Sequence, residues 1–149
     1  IEAVGYNYLG TFMAGCGRLL KPTGTMVMQA ITMPEPRYEE YKSSADFINT
    51  IIFPGGHCPC VTSLTDAMSR NSDMTLEHVR NYALHYAETL RVWRRNFNAR
   101  LDRVRALGFD AAFVRMWNYY LAYCEAGFDT QTLGLHALVF AKPAAKSAV

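Results

Sequence analysis

The pattern of hydrophobic and polar positions along the chain changes its period near Tyr86. Residues 76–84 alternate imperfectly between the two classes, which is typical of a strand. Beyond Tyr86, apolar residues recur at steps of three and four, which predicts a helix from about residue 86 to Gly108. The apolar stripe of this helix consists of Leu90, Trp93, Phe97, Leu101 and Val104. The rest of its surface is rich in arginine: Arg91, Arg94, Arg95, Arg100 and Arg103. Two interpretations stay open: a core-facing helix with a basic outer face, or a first helical turn that aims the Tyr86 hydroxyl into a pocket.

The remaining pattern predicts an alternation of helices and strands. A helix over residues 8–20 ends at Pro22 and Gly24, because proline cannot continue it and glycine takes the turn. Residues 25–33 form a nearly continuous apolar run, which is typical of a strand covered on both faces. Gln29 interrupts this run, and a buried amide must bond to backbone or face a ligand. Further elements are predicted as helices over residues 37–49, at 63–68 and from an N-cap at Asp110 to Gly127, and as a strand over 133–141. Three strands with large helical coverage indicate an α/β fold.

Residues 51–59 form a loop with two glycines and two prolines, which make it rigid and bent. A loop this apolar is usually packed under the fold or lines a pocket. Its segment His57-Cys58-Pro59-Cys60 offers metal ligands, but the four cysteines of the chain match no zinc spacing. We therefore predict no metal site, and expect reduced, buried thiols as in a cytoplasmic protein.

Composition and charge narrow the classes of function. Half of the 149 residues are hydrophobic, which suits one globular domain with a substantial core. A net charge of +2 does not favour nucleic acid as a partner. The chain has no run of about 18 apolar residues and no Gly-x-Gly-x-x-Gly sequence. It begins in what looks like the middle of an element, so we expect a fragment of a longer protein.

Four segments together carry a resemblance to one enzyme family. They read Ile-Glu-Ala-Val-Gly at residues 1–5, Ile-Phe-Pro-Gly-Gly at 52–56, Tyr-Ala-Glu-Thr-Leu at 86–90 and Arg-Met-Trp-Asn-Tyr-Tyr-Leu-Ala-Tyr-Cys-Glu-Ala-Gly-Phe at 115–128. The chain resembles the C-terminal portion of cyclopropane-fatty-acyl-phospholipid synthase, of the mycolic acid cyclopropane synthase-like family. The resemblance implies a Rossmann-like class I S-adenosylmethionine-dependent methyltransferase, of which this chain supplies the fifth, sixth and antiparallel seventh strands. Residues 1–142 would then be the C-terminal part of the methyltransferase domain and 143–149 a flexible tail. The glycine-rich cofactor loop would lie upstream, so we expect the fragment alone to be inactive.

The resemblance implies methylene transfer from S-adenosylmethionine to the cis double bond of unsaturated phospholipid acyl chains. The double bond attacks the sulfonium methyl group, and the resulting carbocation loses a proton and closes a cyclopropane ring. Such a reaction needs a dry site and a base close to the new methyl group, because water would trap the cation. In the family, that base is a bound bicarbonate. The alternatives are methylation of the double bond without ring closure, methylation of another apolar small molecule, and a non-catalytic domain that kept only the fold.

Four positions match the family's bicarbonate site by motif. Glu2 matches its glutamate and Tyr86 its tyrosine, and a mere scaffold would need neither. Ile31 falls where a strand backbone group contributes to the site. Gln29 falls where bacterial members often have histidine, and an amide donates a hydrogen bond but cannot shuttle a proton. None of the four cysteines matches the family's bicarbonate-binding cysteine.

The acyl channel and the lipid surface have weaker candidates. Aromatic and bent-loop residues are predicted to line the channel, although core packing competes with this role: Tyr38, Tyr41, Phe53, Pro54, Tyr119, Tyr120 and Tyr123. Arg91, Arg94 and Arg95 either meet anionic head groups or form a solvated helix face. The implied partners are phospholipid acyl chains and a peripheral membrane surface, with a homodimer compatible and no nucleic acid. The implied localisation is cytoplasmic, peripheral to the membrane.

Overall fold

The computed structural model describes residues 1–145, and its elements follow the predicted order. They are α1 (Leu9–Leu19), β1 (Thr25–Thr32), α2 (Glu35–Lys42), α3 (Val61–Asn71), β2 (Thr75–Asn81), α4 (Ala83–Asn98), α5 (Leu101–Ala106), α6 (Ala111–Asp129) and β3 (Gly134–Ala141). The chain divides into two compact units. The first unit is Ile1–Tyr82 with the segment from Gly134 onward, and the second unit is Ala83–Leu133.

The three strands form one sheet in the first unit. β3 lies between β1 and β2 and is antiparallel to both. Ile31 of β1 stands opposite Leu135, and Asn81 of β2 stands opposite His136. The predicted α/β class and the antiparallel last strand are confirmed. The predicted end of the second strand at residue 84 is wrong, because the chain already enters α4 at Ala83.

In the described chain, β1 is buried on one face only. Helices α1 and α3 cover that face, and the core beneath them consists of Leu9, Met13, Met28, Ala30, Leu64, Met68, Met74, Leu138 and Phe140. On the opposite face Val27 is 69% exposed, and Gln29 is exposed as well. The prediction of a strand covered on both faces, with a buried amide at Gln29, is therefore wrong for this chain. An apolar run predicts that a strand is covered, but it does not say whether the elements that cover each face belong to this chain.

Two predicted helices change in length. The helix predicted over residues 37–49 ends at Lys42, because the Ser43 and Ser44 hydroxyls each donate a hydrogen bond to the carbonyl three residues earlier. A π-helical turn over Ile48–Ile52 follows it. The short helix predicted at 63–68 extends over Val61–Asn71.

The second unit is a helical hairpin in which α6 packs antiparallel against α4. The single helix predicted from residue 86 to Gly108 is wrong, because the chain leaves helical geometry between α4 and α5. Asn98 promotes this break, since its amide donates to the Arg94 carbonyl at 2.8 Å and to Asn118 Oδ1 at 2.6 Å. The predicted stop at Gly108 is confirmed, because this glycine has a φ of 90° just beyond α5.

Helix α6 extends two residues past its predicted end at Gly127. The chain then turns through Gln131, which has a φ of 55°. The Leu133 N–H donates to the Gly127 carbonyl at 2.9 Å. A Cβ atom at Gly127 would lie 3.1 Å from Leu133 Cδ1, so glycine here permits a close approach and does not end the helix.

The first residue after β3, Lys142, is held by contacts to the first unit. The Lys142 ammonium donates to the Gly17 carbonyl at 3.1 Å and pairs with Asp73. The Lys142 N–H donates to the Gly24 carbonyl at 3.0 Å. The flexible tail predicted over 143–149 lies partly outside the described residues and stays a prediction.

The N-cap predicted at Asp110 is confirmed, because the Phe113 N–H donates to Asp110 Oδ1 at 2.8 Å. Asp110→Ala is expected to lower the free energy of unfolding by about 1 kcal/mol, since a first-turn N–H loses its acceptor. Chemical denaturation of the variant and the parent measures this difference. Asp110→Asn keeps a side-chain acceptor and is expected to stay within a few tenths of a kcal/mol of the parent. Equal losses in both variants would contradict the capping role.

Candidate active site

A carboxylate and a strand backbone meet at the edge of β1 in the first unit. Glu2 Oε1 accepts a hydrogen bond from the Ile31 N–H at 2.5 Å. The Ile31 N–H serves Glu2 and not the neighbouring strand β3, so this contact lies on the open edge of β1. The Glu2 side chain remains 34% exposed. The structure thus brings together two of the four predicted site residues and leaves the carboxylate accessible.

A cluster of rings around His57 holds the backbone of Glu2. The His57 N–H donates to the Glu2 carbonyl at 2.9 Å. The imidazole Nε2 lies 2.9 Å from the Tyr38 hydroxyl, and the ring centroid lies 5.3 Å from that of Tyr41. The Cys58 N–H in turn donates to the Tyr41 hydroxyl oxygen at 3.0 Å. The bent loop therefore fixes the segment on which the candidate carboxylate stands.

Sequence reasoning missed this function of His57. The residue drew notice only as a metal ligand beside Cys58 and Cys60. Two tyrosines three residues apart, on a helix that precedes a glycine-rich bend with a histidine, are the signal that was available. That pattern alone does not say which hydroxyl reaches the ring.

Burial favours the neutral forms of the groups in this cluster. Burial, followed by the nearby Lys42 ammonium, lowers the pKa of His57. Burial raises the pKa of the Tyr38 hydroxyl. Burial also raises the pKa of the Cys58 thiol to about 11, against the opposing hydrogen bond from Tyr41. At neutral pH these three groups hold the loop without adding a charge beside Glu2.

Tyr86 lies in the first turn of α4, in the second unit, within an aromatic environment. The edge of its ring meets Phe128, with centroids 4.9 Å apart, and it meets Trp93 at 6.0 Å. Phe128 is fully buried. Burial raises the pKa of Tyr120 to about 12, with Cys124 and Tyr86 as smaller contributions. The prediction that Tyr86 lies in the first turn of a helix is confirmed. Its ring contacts the aromatic side chains of Phe128 and Trp93.

The four predicted site residues fall in both units. Glu2, Gln29 and Ile31 belong to the first unit and Tyr86 to the second. Gln29 lies two residues before Ile31, so both side chains emerge on the same face of β1. The convergence of Tyr86 with the other three residues stays a prediction.

The channel residues predicted in the first unit lie in polar surroundings. Tyr38 lines a groove of about 730 Å³ together with charged residues, which do not suit an acyl chain: Glu35, Glu39, Lys42, Asp66 and Arg70. Tyr41 lines a second groove of about 420 Å³ with His57 and Lys42. Phe53 is 55% exposed, and Pro54 is exposed beside it. The channel role of these four residues stays a prediction.

The three tyrosines predicted near the cation separate onto two faces of α6. Tyr119 and Tyr123 are exposed and stack on each other, with centroids 5.9 Å apart. Tyr120 is half-buried, and its ring centroid lies 5.0 Å from that of Trp117. Its pKa is raised in part by the electrostatic effect of Tyr86. Plain core packing is therefore wrong for Tyr119 and Tyr123. Tyr120 is the one of the three that the structure associates with Tyr86.

Two of the arginines predicted to meet head groups have a partner inside the hairpin. Arg91 Nε donates to Glu125 Oε1 at 3.1 Å, and Arg94 Nη2 donates to Glu125 Oε2 at 2.9 Å. Glu125 is only 14% exposed. These ion pairs connect α4 with α6, while about 40% of each arginine side chain stays exposed. Contact of Arg91 and Arg94 with head groups stays a prediction. Arg95 stays exposed.

The segment around Cys60 begins a helix. Cys60 Sγ accepts a hydrogen bond from the Ser63 N–H at 3.2 Å, and Ser63 Oγ accepts one from the Cys60 N–H at 3.1 Å. This reciprocal pair caps α3. Within residues 1–145, no group of three or more histidine, cysteine, aspartate or glutamate side chains lies close enough to hold a metal ion. No helix in the same range is long and apolar enough to cross a bilayer.

Comparison with known sequences finds one family over most of the chain. The family described as mycolic acid cyclopropane synthetase matches residues 1–138. A tuberculostearic acid methyltransferase of Mycobacterium tuberculosis, UfaA1, is 40% identical over 136 residues, which are 91% of this chain and 32% of that protein. Cyclopropane mycolic acid synthase 1 of the same organism is 28% identical over 133 residues, which are 83% of this chain and 46% of that protein. The chain therefore spans less than half the length of these relatives.

Comparison with solved structures agrees with the sequences. Mycolic acid cyclopropane synthase CmaA1 complexed with SAH and CTAB matches with a TM-score of 0.83 at 26% identity, over 95% of this chain and 52% of that chain. The cyclopropane synthase MmaA2 from Mycobacterium tuberculosis matches with the same TM-score at 21% identity, which shows the fold alone. With the family match over residues 1–138, these likenesses show that the chain belongs to the mycolic acid cyclopropane synthetase family of S-adenosylmethionine-dependent methyltransferases and covers its C-terminal portion.

Proposed function

We propose that the complete protein transfers a one-carbon unit from S-adenosylmethionine to the cis double bond of an unsaturated acyl chain in a phospholipid and closes a cyclopropane ring. The family supplies the reaction class. The observation that carries the site is the Glu2 carboxylate fixed on the Ile31 N–H at the open edge of β1. When bound, S-adenosylmethionine supplies a methyl group on a sulfonium centre. We expect no turnover from this chain alone, because it does not contain the glycine-rich loop that binds the cofactor in the family.

The chain's own residues fit a bicarbonate base. A carboxylate accepts up to about four hydrogen bonds. Glu2 therefore keeps acceptor capacity for the hydroxyl of bicarbonate after it has bonded to Ile31. The Gln29 amide and the Tyr86 phenol each donate a hydrogen bond, and we propose that they hold the bicarbonate oxygens. The Ile31 N–H is engaged by Glu2, so we assign this backbone group to orienting the carboxylate and not to binding the anion directly.

The aromatic environment of Tyr86 suits a reaction that passes through a carbocation. Phe128 and Trp93 contact the Tyr86 ring, and Tyr120 lies near its phenol, so aromatic side chains supply much of its surroundings. Such an environment suits a site that holds little water. Ring faces also attract a cation through their quadrupole. We propose that these aromatic side chains keep water away from the reacting chain.

Methylation without ring closure is a second candidate. At Gln29 an amide cannot carry a proton, so the acid–base chemistry of this position differs from that of a histidine. The 40% identical relative is named as a tuberculostearic acid methyltransferase. In this alternative the cation loses its proton from the acyl chain, and the product keeps a double bond.

The lipids of a bacterium that lacks its own synthase and expresses the full-length parent test the proposal. We expect monounsaturated phospholipid chains to gain one CH2 unit, as measured by mass spectrometry against cells with an empty vector. Fragmentation that reveals a ring supports cyclopropanation. A gain of CH2 with the double bond retained supports the second candidate. Unchanged lipids, with the protein folded and the cofactor bound, would refute both.

A further inference from the structure

The turn of the helical hairpin between α5 and α6 exposes apolar side chains. We define residues 100–110 as the hairpin tip. Leu107 is 76% exposed and Phe109 is 44% exposed. The tip lies at the end of the second unit opposite to its chain ends, because α4 and α6 run antiparallel, with Phe97 near Phe113. Leu107 and Phe109 stand on either side of Gly108, so this chain presents two apolar side chains to solvent within one turn.

The tip is basic as well as apolar. The tip contains three arginines and two aspartates, a net charge of +1, and two further arginines, Arg95 and Arg115, lie in the helices on either side of it. All five arginines are exposed: Arg95, Arg100, Arg103, Arg105 and Arg115. Asp110 is engaged as the N-cap of α6, and Asp102 pairs with Arg105 at 3.2 Å. The charge of the tip therefore favours an anionic partner.

The apolar part of the tip rests on a stack of rings. Phe109 stacks on Phe113 with centroids 4.2 Å apart and an interplanar angle of 26°. Phe113 stacks on Trp117 at 5.6 Å and 16°. Because Phe109 is already held in place, little conformational entropy is lost when it inserts into another phase.

We propose that the hairpin tip docks the protein on an anionic phospholipid surface. Exposed leucine and phenylalanine side chains enter the boundary of the acyl region, and the surrounding arginines bind the phosphates of the head groups. A nucleic acid would use the arginines but leave Leu107 in water. This inference rests on the proposed function, since it names the surface that presents the acyl substrate. It places lipid contact at the tip and not at Arg91 and Arg94, which are engaged by Glu125.

Vesicle sedimentation of the full-length protein tests this assignment. The test variant combines Arg103→Glu with Leu107→Ser. The matched control combines Arg18→Glu with Leu19→Ser, which changes an arginine in the last turn of α1 and an 88% exposed leucine beside it in the same way. The two variants therefore have equal net charge, and each replaces one exposed leucine with serine.

We expect the parent and the control to bind phosphatidylglycerol vesicles in a salt-sensitive manner and phosphatidylcholine vesicles weakly. The tip variant is expected to lose at least about tenfold in affinity for phosphatidylglycerol, because it loses one cation, gains one anion and loses an inserting side chain. Its activity on substrate dispersed in detergent micelles is expected to equal that of the parent.

Three outcomes would overturn the docking role. The first is equal vesicle binding by all three proteins, and the second is an equal loss of binding in the tip variant and the control. The third is a fall in thermal stability of the tip variant alone, because it would show that the tip packs inside the protein. Failure of the proposed function is distinguishable. A parent that binds vesicles through the tip but transfers no carbon to any acyl chain would leave the docking role standing and refute the reaction.

Discussion

Glu2→Gln in the full-length protein is expected to lower kcat by about a hundredfold, the usual contribution of a positioned acid–base group. The glutamine oxygen still accepts the Ile31 N–H, and the His57 N–H still donates to the backbone carbonyl of residue 2. The local fold is therefore retained. What disappears is the negative charge that accepts a proton shared with bicarbonate. Steady-state rates at saturating acyl substrate and cofactor measure the effect.

The matched control is Glu40→Gln, which makes the same chemical change at an exposed position of α2. It is expected to keep the activity of the parent. Both variants are expected to unfold at the parent's temperature, since neither removes a buried contact. A Glu2→Gln enzyme with the parent's rate would show that the contact to Ile31 is structural only. A matching loss in Glu40→Gln would show that the effect is not specific to the site.

Local patterns in the sequence predicted the elements, whereas pairing and burial needed the structure. Apolar runs and breakers located all three strands, and Asp110 and Gly108 were identified by residue type alone. The position of β3 between β1 and β2 depends on contacts between residues distant in the chain, which periodicity does not encode. Gln29 shows the same limit, because the apolar residues around it do not say that only one face of β1 is covered in this chain.

The break between α4 and α5 shows why an apolar stripe can mislead. Leu101 and Val104 resume the helical spacing on the far side of the break, so the pattern looks continuous. Asn98 interrupts it through a hydrogen bond to Asn118, twenty residues further along the chain. The pairing of Arg91 with Glu125 spans thirty-four residues and is invisible for the same reason.

The candidate site was predicted only in part, because sequence motifs give residue types and do not give contacts. The resemblance named Glu2 and Ile31 separately, and the structure joins them by one hydrogen bond. His57 escaped notice because its function is to hold the Glu2 backbone through its own N–H, which any residue except proline can donate. What makes the histidine specific at this position is its ring, which bonds to the Tyr38 hydroxyl and packs against Tyr41.

Tyr86→Phe is expected to lower activity by about ten- to a hundredfold, the value of one hydrogen bond to a charged group. Phenylalanine keeps the edge contacts with Phe128 and Trp93, so the hairpin stays folded. If the phenol holds bicarbonate, the loss appears mainly as a higher bicarbonate concentration for half-maximal rate. Assays in buffer depleted of carbon dioxide and titrated with bicarbonate measure that concentration.

The control for Tyr86 is Tyr119→Phe, which removes a hydroxyl from the exposed face of α6. Its bicarbonate dependence is expected to match that of the parent, because its ring stacks on Tyr123, away from the buried wall around Phe128. If Tyr86→Phe lowers kcat but leaves the bicarbonate dependence unchanged, the tyrosine contacts the acyl chain and does not bind the anion. Unchanged rates in Tyr86→Phe would remove it from the site, and the apolar wall around its ring would then be packing that supports the hairpin and nothing more.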